Sequence, residues 1–220
     1  MQQADMPTLL ISVSSLILSL AVAYFSYFRL ANINLLVGRN IILFPSMVKT
    51  TAGDVLGITF DIPVTFYNWS PQGGTVYKVR LAIGKHQQGE YYDMTWTTFV
   101  EIDDNGSFKD EGLAQPVAMG QRSSTNKIIR FDWNPEFTGE KFDIQVGKYD
   151  LMIFAWTKNT EKPDIKYITS FSFRDEHHKK YGSILSASSS LPIWISLDES
   201  ERPNTVITKA RIDTFYLGKK

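Results

Sequence analysis

The sequence predicts an all-β domain, an antiparallel sandwich or barrel, carried behind one N-terminal transmembrane helix. Three observations predict it. Thr8 to Phe28, TLLISVSSLILSLAVAYFSYF, contains no charged side chain. As a helix rising 1.5 Å per residue it spans roughly 30 Å, the hydrocarbon thickness of a bilayer. From residue 58 onward, apolar side chains recur at every second position, the period of a half-buried strand. Turn clusters separate these runs and no helical period stands between them, which indicates antiparallel pairing in one β domain.

Residues 1–7 are a short polar tail and 8–28 the membrane segment. A cleaved signal peptide is the alternative, because Ala21-Val22-Ala23 has the small-residue pattern of a cleavage site. Against cleavage, the start MQQADMP lacks positive charge and the apolar run continues through Tyr24, Phe25, Tyr27 and Phe28. Those aromatics followed by Arg29 read as an interfacial belt with a basic stop. Arg29 and Arg39 follow the helix and no Lys or Arg precedes it, so the positive-inside rule places the N-terminus outside and the domain in the cytoplasm. The chain has 220 residues, enough for one such segment and one domain. Lys plus Arg and Asp plus Glu are both 23, a balance that gives no sign of nucleic-acid binding. Cysteine is absent, which excludes disulfides, a thiol nucleophile and a cysteine zinc site.

The stretch 29–53 is too apolar for a flexible tether and reads as a packed juxtamembrane connector. Within it Ile33, Leu35 and Val37 alternate, Gly38-Arg39 turns the chain, and Pro45 ends the run Ile41 to Phe44. The domain proper is assigned to 54–200. Ile58, Phe60, Ile62, Val64 and Phe66 share one face of a strand, with Thr59, Asp61, Pro63 and Thr65 on the other; Pro63 favours an edge position. Asn68 to Gly74 is a turn cluster, after which Tyr77, Val79, Leu81 and Ile83 alternate. Further strands are expected at 92–102, 128–133, 142–146, 149–157, 165–173 and 191–197. Asp175 to Ser190 opens as a short helix capped by Asp175 and runs into a Ser-rich loop; 201–220 is a final strand or tail. The expected core holds Phe60, Ile62, Val64, Val79, Leu81, Phe131, Leu151 and Ile153.

The segment Gly147-Lys148-Tyr149-Asp150-Leu151-Met152-Ile153 resembles the start of the penultimate strand of immunoglobulin-like sandwiches. The resemblance implies that Tyr149 bonds back to the main chain and that Leu151 points into the core. Ile58 to Ile83, a strand ending in Asn and followed by a hairpin, is similar in pattern to bacterial adhesion-related and plant desiccation-related Ig-like modules. The cysteine pair of antibody domains is missing. The resemblance implies an Ig-like sandwich and no activity.

Motifs that carry chemistry are sparse. Glu101 to Gly106 with Glu111 beyond it places Asp103, Asn105 and Glu111 as candidate calcium ligands. The first ligand is Glu instead of Asp, and Gly112 stands where the closing Glu belongs, so a hairpin turn around Asn105-Gly106 is the preferred reading. His177 and His178 point about 100° apart on a helix and do not chelate one ion from it. His86 sits in the loop GKHQQGE without an evident partner, and no GxSxG elbow or phosphate-cradling loop occurs. Of the aromatics Trp69, Tyr91, Tyr92, Trp96, Trp133, Trp156 and Trp194, most belong to strand patterns and pack in a core; Trp69, in a turn, is the candidate ligand-binding residue.

These readings lead to a membrane-anchored, non-catalytic protein that works through an as yet unidentified protein partner, needs no cofactor, and does not bind nucleic acid. A carbohydrate- or peptide-binding module is the alternative, with a hydrolase behind it. The full-length chain should resist extraction by carbonate or high salt, and no mature form should begin at Tyr24. Leu18→Arg should weaken insertion by about 3 kcal/mol, measured as loss from the pelleted membrane fraction.

Overall fold

The computed structural model describes residues 6–50, 53–187 and 191–197; the expected final strand or tail at 201–220, residues 198–200 before it and Ser188 to Ser190 lie outside the described residues. The apolar start forms helix α1 (Met6–Ala23), continued by a π-helical turn (Tyr24–Phe28) in which the Arg29 amide donates to Tyr24 O at 3.0 Å. Together Met6–Phe28 make one helix of 23 residues, long and apolar enough to cross a membrane, with none of it buried against the domain.

The period-two segments form twelve strands among the described residues: β1 (Ile33–Val37), β2 (Asn40–Thr50), β3 (Gly53–Asn68), β4 (Gly74–Val76), β5 (Lys78–Lys85), β6 (Tyr92–Ile102), β7 (Phe108–Leu113), β8 (Val117–Met119), β9 (Ser123–Trp133), β10 (Gly147–Trp156), β11 (Ile165–Phe173) and β12 (Ile193–Ser196). Ten of them make one antiparallel sheet in the order β11-β10-β5-β6-β9-β3-β2-β12, with β1 also on β3 and β7 also on β6; β4 and β8 form a separate ribbon. Strand β6 folds this sheet over. Its first residues, Tyr92 to Thr95, pair with β5 and those from Trp96 to Val100 pair with β9, and a bulge between Trp96 and Thr98 lies within the second pairing. β11 therefore comes to lie beside β1 and β12, and the sheet nearly closes into a barrel. All eight expected core residues are buried in the enclosed space.

Several local expectations are corrected. The stretch read as a connector supplies strands β1 and β2, and β2 continues through Pro45 to Thr50. Pro63 is not on an edge: β3 is paired on both sides, with β9 and with β1 and β2. The missing N–H is absorbed where β1 and β2 meet. Their registers on β3 differ, and in the gap Gly38 N–H donates to Pro63 O at 2.8 Å. A Cβ on Gly38 would stand 3.0 Å from that of Pro63, so the close approach favours glycine. Residues 142–146 form no strand, although Phe142 and Ile144 are buried; they line the core from an irregular segment after the short helix α2 (Pro135–Thr138). Helix α3 (Asp175–Ser186) is capped by Arg174, not Asp175.

Tyr149 does bond back to the main chain. Its hydroxyl donates to Gln145 O at 3.0 Å and accepts the Gln145 N–H at 2.9 Å, while Leu151 is fully buried. Helix α3 adds Tyr181 and Ile184 to the core, and there the Tyr181 hydroxyl has no hydrogen-bond partner among the described residues. The imidazole Nδ1 of His177 accepts the Arg174 N–H at 3.2 Å, a role that only the neutral ring can perform.

Leu151→Ala should destabilise the domain by about 2–5 kcal/mol through a residual cavity, and Tyr149→Phe by about 1 kcal/mol, both read from urea unfolding of the detergent-solubilised chain. Tyr181→Phe should be neutral or stabilising, because it removes a buried group without a partner. Burial lowers the pKa of His177 below the ordinary imidazole range. The stability contributed by its cap is therefore present above that range and lost as pH falls through the lowered pKa. Hydrogen exchange at the Arg174 amide should accelerate over the same interval, beyond the intrinsic change, and should not do so in His177→Asn.

Candidate functional site

Alternate residues of β3 face away from the core, and Asp61 belongs to that outward row, yet it is 0% exposed. The cause is charge pairing. Arg130 stands directly opposite on β9, and its Nε and Nη2 donate to the two Asp61 carboxylate oxygens at 2.8 Å each. Its Nη1 reaches across β6 to Asp110 Oδ1 on β7, also at 2.8 Å. One rank further along, Asp132 accepts the hydroxyls of Thr59 and Thr97 at 2.6 Å each. The guanidinium thus ties β3, β9 and β7 together over the outer face of the sheet, with three carboxylates grouped around one cation. Burial pushes the Asp61 carboxyl above the ordinary carboxylate range, with Arg130 pulling against it; Asp61 in turn holds Arg130 more firmly protonated.

Aromatic rings wall this cluster. Phe44 of β2 meets Phe108 of β7 edge-on at 5.2 Å, Phe108 lies 6.1 Å from Trp194 of β12, and Arg130 sits 5.9 Å from the Phe44 ring. The result is an open groove of about 640 Å³ lined by Phe44, Phe108, Leu191, Asp110, Arg130 and Asp132 among others. Ring faces and surplus carboxylates together suit a long cationic side chain, whose stem packs on the rings while its head meets Asp110 and Asp132.

The structure places the sequence candidates as follows. Asp103 forms the β6–β7 turn: its Oδ1 accepts the amides of Asn105 and Ser107 at 2.9 and 2.8 Å, and Gly106 takes the left-handed φ of 79°. Glu111 points to Lys127 on β9. Asp103, Asn105 and Glu111 are therefore engaged separately, and among the described residues no three His, Cys, Asp or Glu side chains are placed to hold a metal ion. Trp133 and Trp156 pack at the core margin and donate their indole N–H to Glu140 O and Glu161 O. Trp69 is 74% exposed, the most open of the tryptophans, and meets Tyr67 edge-on at 5.8 Å. His177 and His178 both lie against Phe173.

Two arrangements escape sequence reading. His86 has a partner after all, Asp150 on β10, with 2.7 Å between Nδ1 and Oδ1; Tyr91 O–H approaches the other oxygen at 3.4 Å. The loop after β5 folds back on itself there, and Gly84 permits it, since a Cβ would stand 2.2 Å from Glu90 O. The Asp61–Arg130 pair joins residues 69 apart in sequence, and its one local sign is a carboxylate in an outward row of Thr and Pro.

Arg130→Met should cost about 3–5 kcal/mol by leaving Asp61 buried and unpaired, whereas the double change Asp61→Leu with Arg130→Met should recover most of that loss; urea unfolding measures both. Because the Asp61 pKa is raised on folding, its contribution to stability is fully present below the ordinary carboxylate range and lost as pH rises through the raised value. The stability of the native chain relative to Asp61→Asn should accordingly fall as pH rises from the ordinary carboxylate range through the raised value. Neither a protein-family model nor a curated protein matches the chain, so the groove is interpreted from its own chemistry.

Proposed function

We propose that this chain is a single-pass membrane protein whose Ig-like β domain faces the cytoplasm and acts by protein interaction, without catalysis. The groove lined by Phe44 and Phe108, with the exposed Trp194 beside Phe108, is the partner surface, and the observation that carries this reading is the junction there of half-buried rings with Asp110 and Asp132. The partner presents an extended segment with a Lys or Arg side chain. Anchoring is supported by the unburied apolar helix Met6–Phe28 and its aromatic end. Orientation is supported by Arg29 and Arg39 after the helix. The Ig-like assignment is supported by the Tyr149 hydroxyl bonded to Gln145 and by the two halves of the sheet that share β6.

A catalytic reading has one observation in its favour, the His86–Asp150 pair, which is the base and orienting carboxylate of many hydrolases. The hydroxyl next to it, that of Tyr91, contacts the carboxylate and not the imidazole, so the pair serves the turn in this proposal.

A photo-crosslinker at Phe108 should trap a partner in membranes, and Trp194→Ala or Asp132→Asn should weaken that capture by about 2 kcal/mol, roughly thirtyfold, with the melting temperature little changed. Equal capture by all variants would remove the groove from the interface. Loss of cellular phenotype in His86→Ala, with abundance and capture normal, would replace binding by catalysis. Protease added outside intact cells should leave the domain whole.

A further inference from the structure

The end of the domain next to the helix carries an apolar corner. Trp69 projects from the turn after β3, and Leu36 of β1 and Leu30 before it are also exposed. Leu36, Thr65, Tyr67, Trp69, Arg122 and Ser123 line a shallow groove of about 440 Å³, and no carboxylate takes part in it. This turn is joined to the residues that leave the helix. The Asn32 amide donates to Asn68 Oδ1 at 3.3 Å, and Gly74 lies so close to Ala31 that a Cβ there would come within 2.8 Å of the alanine methyl. Four residue steps lead from Phe28 to Asn32, a reach of at most about 14 Å, against a headgroup layer of roughly 5–8 Å per leaflet.

We infer that Trp69 and its neighbours sit in the headgroup layer of the bilayer, a second membrane contact that holds the domain against the lipid surface. The inference rests on the reading of Met6–Phe28 as a membrane span. Indole is a side chain that favours this layer, with an apolar body and one N–H for water or carbonyl. Arg122, exposed at the tip of the neighbouring turn and tied to it through its amide to Ser70 O at 3.1 Å, supplies positive charge for lipid phosphates, as does Arg29 at the helix end. A soluble sugar or peptide would have to enter the same narrow gap from the side; the lipid surface is already there.

Helix α1 contains no tryptophan, so tryptophan emission quenched from within the bilayer must come from the domain. The test uses the full-length chain in vesicles of phosphatidylcholine and phosphatidylglycerol, with bromine either near the headgroup or deep in the acyl chains. Headgroup-proximal bromine should quench part of the emission, and Trp69→Phe should lose most of that quenchable part while floating with the vesicles as before. Exposed Trp69 makes a mild exchange, and an unchanged melting temperature would verify it. Chain that floats with vesicles but shows equal quenching in both forms, or none, overturns the docking and leaves the anchor intact. Chain that does not float overturns both. Quenching that appears only at high protein density, from contact between copies, also counts against lipid docking.

Discussion

The side-chain amide of Asn68 is the joint on which the relation between helix and domain depends. It is buried, and all four of its hydrogen-bonding positions are used: Oδ1 accepts the amides of Asn32 and Ser70, and Nδ2 donates to Gln72 O and Gly120 O. One side chain thereby ties the end of β3 to the segment leaving the helix, to the turn that follows and to the turn between β8 and β9. Only Asn or Gln offers two donors and two acceptors in a plane, and the shorter stem of Asn keeps the group within a tight turn. The sequence Asn68-Trp69-Ser70 has the form of a glycosylation acceptor, but in the folded chain this nitrogen is spent on main-chain carbonyls. The motif here is a structural joint, and any coupling to sugar would have to precede folding and would break it.

A second constraint works on the outer face. A half-buried sheet can keep its outward row in water, and this one does so at Thr65, whose hydroxyl meets Asn126 at the surface. At Asp61 the row is covered by the β6–β7 hairpin, and the carboxylate stays there because a forked guanidinium meets it with two parallel hydrogen bonds. Such a pair adds little net stability over an apolar equivalent. Its value lies in register: only one placement of β9 on β3 brings Arg130 opposite Asp61, and the third donor fixes β7 over both. The groove owes its shape to that clamp, since Phe108 reaches Phe44 and Trp194 only while the hairpin is held down.

What the sequence makes legible follows from the range of each interaction. Period-two runs are local, so the strands around Phe60, Leu81, Phe131 and Leu151 are readable, as are the corner at Tyr149 and the exposure of Trp69. Phe142 to Val146 carries the same alternation, yet it forms no strand; alternation reports burial on one side, and an irregular segment packed against β3 buries Phe142 and Ile144 equally well. Pro63 misleads for a related reason. A proline needs only a missing acceptor opposite its nitrogen, which an edge supplies and a bulge between β1 and β2 supplies as well. The pairs Asp61–Arg130 and His86–Asp150 join residues 69 and 64 apart, so no spacing rule announces them. The groove is assembled from β2, β3, β6, β7, β9 and the residues just before β12, and remains illegible until the sheet order is known.

Both constraints lie on one strand. Asn68 ends β3 beside the helix, and Asp61 stands seven residues back along it, about 23 Å at the rise of an extended strand. Because β3 is paired on β9 throughout this interval and on its other side everywhere but at Ile62 and Pro63, that separation is stiff, unlike the distance across a Gly/Ser tether of similar length. If the groove is the partner surface and the helix a membrane span, as proposed, a partner would meet the groove at a set distance from the membrane-proximal end, with the orientation of the groove inherited from the Asn68 joint. This arrangement restricts the partner more than affinity alone would: a segment emerging from the same membrane must extend about that far before its basic side chain meets Asp110 and Asp132. Loosening the joint would leave the groove and its chemistry unchanged while spreading the groove over many heights and angles, and binding between membrane-bound proteins would weaken through effective concentration alone.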